Sequence, residues 1–244
     1  MGRTFVCSDL HGMLHLWKAV LGVLKADDKI FVLGDCGDRG PHSWETIKAV
    51  LDEPRAILLK GNHEDMLVRA LDDYIDRGSP NYYDLSLLCS NGGSSTYEEA
   101  IADPNLEYYY HKLIHLESLK EYINIQGERI ILSHAGFTPY TDDGVTYYEP
   151  YPEDLIWDRD HFLDEWPEDE MFQKTIVIHG HTPIPYLLED IDPSCQMRDI
   201  EPGALWYADG KKCCIDCGAV FTGIFVLINL DTWEEHFFNS EPYL

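Results

Sequence analysis

Two short polar segments, each placed directly after an apolar run, constrain this chain more than any other feature. Residues 30–33 are apolar and lead into Gly-Asp-Cys-Gly-Asp-Arg-Gly at residues 34–40, and residues 56–59 lead into Lys-Gly-Asn-His-Glu at residues 60–64. Short apolar runs that end in glycine and polar residues are typical of buried strands. Ligands of open α/β sheets bind at the carboxyl ends of such strands. The side chains predicted to meet there are Asp35, Asp38, Arg39, Asn62 and His63.

Three further apolar runs, at residues 4–7, 129–132 and 175–178, are also followed by residues that bind divalent metals. These residues are Asp9 with His11, then His134, then His181. One such residue after one strand carries little information, but five strand ends in succession indicate a metal centre. Mixed carboxylate, imidazole and amide ligands suit borderline-hard divalent ions, with Mn favoured and Fe, Zn, Ni or Co also compatible.

The charge of the chain restricts its partners. With 44 acidic and 18 basic residues the net charge is -26, which argues against nucleic acid and anionic membranes as partners. No apolar run is long enough to span a membrane, and the N-terminus has no signal-peptide pattern. The cysteines are odd in number, seven, and several lie in apolar runs, so a reduced, cytoplasmic protein is predicted. The oligomeric state stays open.

The order of apolar and polar segments predicts the organisation of the chain. We find no linker or internal repeat and predict a single domain over residues 1–244. Strand, helix and strand alternate at first, which predicts right-handed crossovers and a largely parallel layer. Residues 77–122 are predicted to form helices and loops. Three closing runs are predicted to be adjacent antiparallel strands, at residues 211–217, 223–230 and 233–238.

The residue types also predict a reaction. Two metal ions about 3.5–4 Å apart lower the pKa of a shared water, so that hydroxide exists near neutral pH, and they clamp phosphoryl oxygens. Asp35 is predicted to bridge the ions, because its strand is expected between the others. His63 is predicted to protonate the leaving group as general acid, oriented by Asp38. Arg39 and Arg159 are predicted to hold phosphate oxygens.

Five motifs in chain order resemble the signature of calcineurin-like metallophosphoesterases, and more narrowly of phosphoprotein phosphatases in their small phage and bacterial form. The motifs are Ser8-Asp9-x-His11-Gly12, Gly34-Asp35-x-x-Asp38-Arg39-Gly40, Gly61-Asn62-His63-Glu64, His134-Ala135 and Gly180-His181-Thr182. Also similar to that subgroup are Asn91-Gly92-Gly93, Trp157-x-Arg159 and Asp216-x-Gly218-Ala219. The resemblance implies an α/β (α+β) fold, a two-layered β-sandwich flanked by helices.

The resemblance further implies how the site residues divide their roles. The implied ligands of the first metal are Asp9, His11 and Asp35. The implied ligands of the second metal are Asp35, Asn62, His134 and His181. The implied catalytic and phosphate-binding residues are His63, Asp38, Arg39, Arg159 and Asn62.

The substrate is less constrained than the reaction. The resemblance favours a phosphomonoesterase acting on phosphoserine or phosphothreonine in proteins or peptides, with phosphotyrosine left open. The first alternative is a symmetrical dinucleoside tetraphosphatase, which hydrolyses an anhydride bond of the small molecule diadenosine tetraphosphate. A small phosphoester substrate is also left open. Asp38 and Glu64 argue against it, because that neighbouring branch generally lacks the aspartate. A catalytically silent binding protein is the remote alternative, and the intact ligand set argues against it.

Some residues near these motifs have no assigned role. The sequence leaves open whether Cys36, beside the predicted bridge, is redox-active. It also leaves open the role of an acidic insertion at residues 189–210. Cys213, Cys214 and Cys217 are interpreted as buried strand residues, because no second half of a thiolate site follows. The histidines interpreted as structural, mostly at the surface, are His15, His111, His115, His161 and His236.

Overall fold

The computed structural model describes residues 2–142, 145–147, 150–161, 164–168, 170–191 and 203–243. Two five-stranded mixed sheets form the centre of the described chain. The first sheet contains β1 (Thr4–Cys7), β2 (Lys29–Val32), β3 (Ala56–Leu58), β11 (Ile224–Asn229) and β12 (Glu235–Asn239), in the spatial order β12-β11-β1-β2-β3. The second contains β4 (Leu119–Ile123), β5 (Arg129–Ser133), β8 (Thr175–His179), β9 (Leu205–Tyr207) and β10 (Lys212–Cys214), in the order β4-β5-β8-β10-β9.

The remaining elements are a hairpin and a set of helices. The hairpin is β6 (Tyr140–Asp142) with β7 (Val145–Tyr147). The helices are α1 (Leu14–Val23), α2 (Ser43–Leu51), α3 (Asn62–Arg77), α4 (Tyr82–Ser90), α5 (Ser94–Ala102), α6 (Leu106–Ile114), α7 (Asp154–Trp157), α8 (Ile184–Ile191) and α9 (Ala219–Thr222), with a 3-10 helix at Glu170–Phe172. No helix within the described ranges is both long and apolar enough to cross a membrane.

The two sheets pack face to face through apolar side chains that alternate along their strands. Val6 and Phe31 of the first sheet, and Leu33 directly after β2, share one buried cluster with Ile130 and Ile178 of the second sheet. The opposite face of the first sheet packs against α1 to α6 in a second cluster. Each fully buried aliphatic side chain contributes about 1.5–3 kcal/mol. The architecture confirms the predicted sandwich flanked by helices.

Helix α3 shows how local sequence places a site residue. Gly61 precedes it, and Glu64 accepts from the N–H of Gly61, which completes the first turn. Its end is set by Gly78, whose positive φ of 72° suits a residue without Cβ. Met66, Leu67, Ala70 and Leu71 form its buried face. The helix therefore begins directly at Asn62, on the rim where β3 ends.

Two sequence predictions about the strands are corrected, one on pairing and one on the position of a strand. Residues 211–217 were expected beside the last two strands, but β10 belongs to the second sheet, where it runs parallel to β8. Only β11 and β12 form the expected antiparallel pair. The predicted helices and loops of residues 77–122 also include the start of β4, a half-exposed edge strand whose polar residues mask its pattern. Residues 192–202 of the acidic insertion lie outside the described residues.

Candidate active site

The predicted site residues meet where strands of both sheets end. β1, β2 and β3 run parallel to one another, and β5 runs parallel to β8. Their carboxyl ends meet at one rim of the sandwich. The side chains brought together and buried there are Asp9, His11, Asp35, Asp38, Asn62, His63, His134 and His181.

Residues other than glycine with a positive φ are concentrated at this rim. Nine described residues other than glycine have a positive φ, and six of them are predicted site residues. These six are Asp9, His11, Asp35, Asp38, Arg39 and His181. Each such residue is strained by about 1–3 kcal/mol, and strain of this kind clusters at functional sites. The tight turns after the strands direct these side chains into one cleft. The backbone strain in the turns cannot be deduced from composition alone.

Asp35 lies between two groups of potential ligands. Its Oδ1 is 3.4 Å from Nε2 of His134, and its Oδ2 is 3.7 Å from Nε2 of both His11 and His63. Among the described residues, two groups could hold a metal ion: His11 with Asp35 and His63, and Asp35 with His134 and His181. The carboxylate of Asp35 is shared by both, so the geometry suits a bridging ligand.

The second group is closed by Asn62. Its Oδ1 is 2.9 Å from Nε2 of His134 and 3.1 Å from Nδ1 of His181. Nδ1 of His134 lies 2.7 Å from the carbonyl oxygen of Leu33, which can only accept, so this nitrogen carries the proton. The lone pair of His134 Nε2 therefore faces Asn62 and His181, as a metal ligand requires.

The first group differs from the predicted ligand set. His63 occupies it in addition to His11 and Asp35, whereas Asp9 is more distant, with Oδ1 4.0 Å from Nε2 of His11. Asp9 Oδ2 accepts from the hydroxyl of Ser8 and from the N–H of His181. Oδ1 of Asp9 is buried and has no hydrogen-bond partner among the described residues. A buried carboxylate oxygen of this kind requires a cation or a donor.

The electrostatics of the cluster fit divalent cations. Burial raises the pKa of Asp9 and Asp35, and repulsion from neighbouring carboxylates raises both further. Burial likewise raises the pKa of Asp216, behind Asp9, to about 6. Burial lowers the pKa of His11, and it lowers that of His134 to about 3, so the imidazoles are neutral. Neutral imidazoles beside uncompensated carboxylates are the donor set that a pair of divalent metal ions would complete.

The two arginines predicted to bind phosphate reach the cluster from different directions. Arg39 donates from Nη1 to Nε2 of His11 at 2.8 Å and from Nη2 to Nε2 of His63 at 2.9 Å. Arg159 is exposed and donates from Nη1 to the hydroxyl of Thr182 at 3.3 Å. Nε2 of His11 cannot accept from Arg39 and bind a metal ion at once, so a metal ion at this nitrogen would require the Arg39 side chain to turn away.

His63 is held by a buried carboxylate. Its Nδ1 lies 2.6 Å from Oδ2 of Asp38, and Oδ1 of Asp38 accepts from the hydroxyl of Thr96. Thr96 lies on α5 and has no motif around it, so sequence reasoning missed it. Asp38 is thus satisfied on both oxygens, which fixes the orientation of the His63 ring.

The Asn91-Gly92-Gly93 motif supports the same region. The N–H of Arg39 donates to the carbonyl of Gly92 at 3.1 Å. A Cβ on Gly93 would come within 2.9 Å of Oδ1 of Asp38, and one on Gly92, which has a positive φ of 92°, would touch the Arg39 side chain. The two glycines therefore allow the α4–α5 loop to lie directly against the Asp38-Arg39 turn.

Glu64 braces the turn that carries Asp35. Oε2 accepts from the N–H groups of Asp35 at 2.8 Å and Gly61 at 3.0 Å, while Oε1 accepts from the N–H of Cys36 at 2.9 Å. All the groups involved are buried. The carboxylate of Glu64 therefore ties the loop after β2 to the start of α3.

Replacing Glu64 by glutamine is expected to destabilise the metal-free protein by about 1–3 kcal/mol. The NH2 group of glutamine would take the place of a carboxylate oxygen, so at least one of these buried backbone N–H groups would lose its acceptor. Urea unfolding measures this change. Glu99→Gln, an exposed substitution on α5, is the control and should change stability by less than about 0.5 kcal/mol. Equal stability of the two variants would contradict the bracing role.

The burial of several residues can be compared with what the sequence predicted or left open. Cys36 is fully buried, and burial raises the pKa of its thiol, so it lacks the exposed thiolate that redox sensing needs. His161, expected near the surface, is buried instead, with its ring edge-on to His179 at 4.9 Å. Cys213, Cys214 and Cys217 are buried as predicted.

Comparison with known proteins identifies the family. The family model for calcineurin-like phosphoesterases matches residues 2–214. The chain belongs to the calcineurin-like phosphoesterase family. Members are metal-dependent phosphoester hydrolases, which agrees with the donor set described above. A comparison with curated proteins finds no significant sequence match.

Solved structures share the fold of this calcineurin-like phosphoesterase at low identity. One is described as a putative diadenosine tetraphosphatase (TM-score 0.59, 15% identity, covering 98% of this chain and 94% of that one). Another is a protein serine/threonine phosphatase from Saccharomyces cerevisiae with similarity to human phosphatase PP5 (TM-score 0.57, 13% identity, 98% and 80%). A third is a metallophosphoesterase from Sphaerobacter thermophilus (TM-score 0.57, 17% identity, 99% and 89%). These similarities concern the fold alone.

Proposed function

We propose that this calcineurin-like phosphoesterase is a phosphomonoester hydrolase of the serine/threonine protein phosphatase type. The observation that carries the proposal is the buried pair of His63 and Asp38, 2.6 Å apart. The leaving group of a phosphoserine is an alkoxide, which is strongly basic and needs a proton as the ester bond breaks. The leaving group in the symmetrical cleavage of a dinucleoside tetraphosphate is a nucleoside diphosphate, whose terminal phosphate oxygen is stable as an anion near neutral pH. A dedicated proton donor therefore favours the phosphomonoester.

Two divalent metal ions are proposed to complete the site. One would be held by Asp9, His11 and Asp35, and the other by Asp35, Asn62, His134 and His181. When bound, such a pair lowers the pKa of a water molecule and offsets negative charge on the phosphoryl oxygens. The unpartnered Oδ1 of Asp9 and the neutral imidazoles support this assignment.

His63 is proposed to protonate the leaving group. Its Nδ1 proton lies on the hydrogen bond to Asp38, which fixes the tautomer and the orientation of the ring. Nε2 accepts from Arg39 in this structure, so Arg39 must turn away before Nε2 can transfer a proton to the ester oxygen. The hydroxyl of Thr96 holds the other oxygen of Asp38 and keeps the pair aligned.

Arg39, Arg159 and Asn62 are proposed to bind the phosphate. A planar guanidinium group can bind two phosphate oxygens at once, and it is always positively charged. This local positive charge is needed, because the chain as a whole carries a net charge of -26.

A pair of substrates tests the proposal. Metal-stripped protein reloaded with manganese is expected to release phosphate from a phosphoserine peptide faster than it cleaves diadenosine tetraphosphate. Asp38→Asn is expected to slow the peptide reaction by about tenfold or more and the dinucleotide reaction less, since only the alkoxide depends on His63. Preferential cleavage of the dinucleotide would instead support the tetraphosphatase. Two bound metals without turnover of either substrate would contradict both.

A further inference from the structure

Lys212 is a charged residue in an otherwise apolar strand. It lies on β10 next to Cys213, opposite Val177 of β8, and it is 0% exposed. Its Nζ donates to the carbonyl of His161 at 2.5 Å and to the carbonyl of Asp164 at 2.7 Å. Burying an ammonium group is unfavourable unless strong acceptors replace water. The two carbonyl groups are such acceptors, so the lysine is bound to one specific stretch of backbone.

That stretch directly follows Arg159. Asp158 ends α7, and the N–H of Asp160 donates to Oδ1 of Asp158 in a tight turn, with Arg159 between them. The Arg159 side chain is exposed, and its hydrogen bond to Thr182 is long, at 3.3 Å. Its direction therefore depends on the backbone that carries it. His161 is the first buried residue after the turn, so whatever fixes His161 also fixes Arg159.

A second residue, Thr138, also holds His161. The hydroxyl of Thr138 lies 2.8 Å from Nδ1 of His161 and donates to its carbonyl oxygen at 3.1 Å. Gly136 leaves room for the ring, because a Cβ there would come within 2.5 Å of it. The carbonyl of His161 is thus shared by Thr138 and Lys212, and Lys212 also binds the carbonyl of Asp164.

We propose that Lys212 is a positioning residue for Arg159, whose buried ammonium fixes the turn so that the guanidinium faces the substrate phosphate. This inference rests on the phosphate-binding role proposed for Arg159. Burial lowers the pKa of Lys212 to about 8, while Asp164 and Asp158 oppose the shift. At neutral pH the side chain therefore still offers three N–H donors.

The test compares Lys212→Met with its neighbour Lys211→Met, in manganese-loaded protein with p-nitrophenyl phosphate as substrate. Lys212→Met is expected to raise KM and the inhibition constant of inorganic phosphate about tenfold, less than a full misplacement of a binding group would cause. The value of kcat and the number of bound metals should change little. Lys211→Met should leave all four quantities unchanged.

A double variant separates positioning from a general effect on folding. If Lys212 acts through Arg159, adding Lys212→Met to Arg159→Ala should change KM by less than about twofold. Hydrogen exchange of a peptide covering residues 156–161 should be faster in Lys212→Met. The inference would be overturned if the fold-changes in KM of the two single variants multiplied in the double variant. An unchanged KM in folded Lys212→Met would overturn it as well. If Lys212→Met does not fold, Lys212→Gln, with a shorter polar side chain, should raise KM in the same way.

Failure of the proposed function would give a different result. Wild-type protein that binds two metals but hydrolyses no phosphomonoester would contradict the function alone. Phosphate affinity, measured by calorimetry in the wild type, Lys212→Met and Arg159→Ala, needs no turnover. Weaker binding in both variants would support the positioning role, and unchanged binding in Lys212→Met would reject it.

Discussion

Replacing Asp35 by asparagine is expected to remove bound metal and lower phosphatase activity about 10³-fold, since a metal pair supplies several kcal/mol of transition-state stabilisation. Asp35 lies 3.4 Å from His134 and 3.7 Å from His11, in both potential ligand groups. An amide retains one oxygen but no negative charge. It can therefore neither bridge two cations nor offset their mutual repulsion.

The same substitution is expected to stabilise the metal-free protein by about 1 kcal/mol. Burial and repulsion from Asp9 raise the pKa of Asp35. The folded chain then keeps its proton at pH values at which the unfolded chain has released it, so metal-free stability falls as pH rises above the ordinary aspartate range. Asparagine removes this pH-dependent term, and its Oδ1 can still accept from the N–H of His63.

Metal content by mass spectrometry and urea unfolding of the stripped protein measure the two opposite effects of Asp35→Asn. Asp27→Asn, at an exposed position, is the control and should change neither. Full retention of both metals in Asp35→Asn would rule out the bridging role. A less stable metal-free variant would show that the carboxylate is compensated within the protein itself.

Replacing His63 by asparagine is expected to lower kcat for a phosphoserine peptide by about 10²–10⁴-fold, the usual contribution of a general acid. The loss should be smaller for p-nitrophenyl phosphate, because its leaving group is a weak base that needs little protonation. Steady-state kinetics on the two substrates measure this difference. It separates proton donation from general damage to the site, which would slow both substrates equally.

Metal analysis of His63→Asn decides between two roles that the geometry allows. Nε2 of His63 lies 3.7 Å from Oδ2 of Asp35, within the first ligand group. If His63 donates a proton, the variant binds two metals as the wild type does. Loss of one metal would make His63 a ligand. His15→Asn, exposed on α1, should leave both activity and metal content unchanged.

Most of the correct predictions came from the motifs at the strand ends. Residues 34–40 and 60–64 combine a local pattern, an apolar run closed by glycine and polar residues, with chemistry that few other sites use. Both signals depend on neighbouring residues, so they can be recognised without knowledge of the fold. The family and the two-sheet architecture were predicted and confirmed on this basis. The single domain over residues 1–244 and the cytoplasmic location stay predictions.

The errors share a different physical origin. β10 was expected beside β11, but it pairs with β8, because strand pairing depends on residues distant in sequence. His161 belonged to a group of histidines interpreted as structural and mostly at the surface, yet it is buried, with Gly136 and Thr138 of another segment against its ring. Nothing in the sequence around Lys212 shows where its ammonium group is bound, because both of its acceptors lie about 50 residues away in the chain.

The sequence by itself determined which chemical groups this protein brings to its reaction, and in which order along the chain, because strand ends and glycine turns are encoded by neighbouring residues. The tertiary structure decided the contacts that the sequence left open. It placed Glu64 against the turn of Asp35, the hydroxyl of Thr96 on Asp38, and the ammonium group of Lys212 on the carbonyl of His161. Distances of this kind follow from packing between the sheets, where every contact depends on many residues at once.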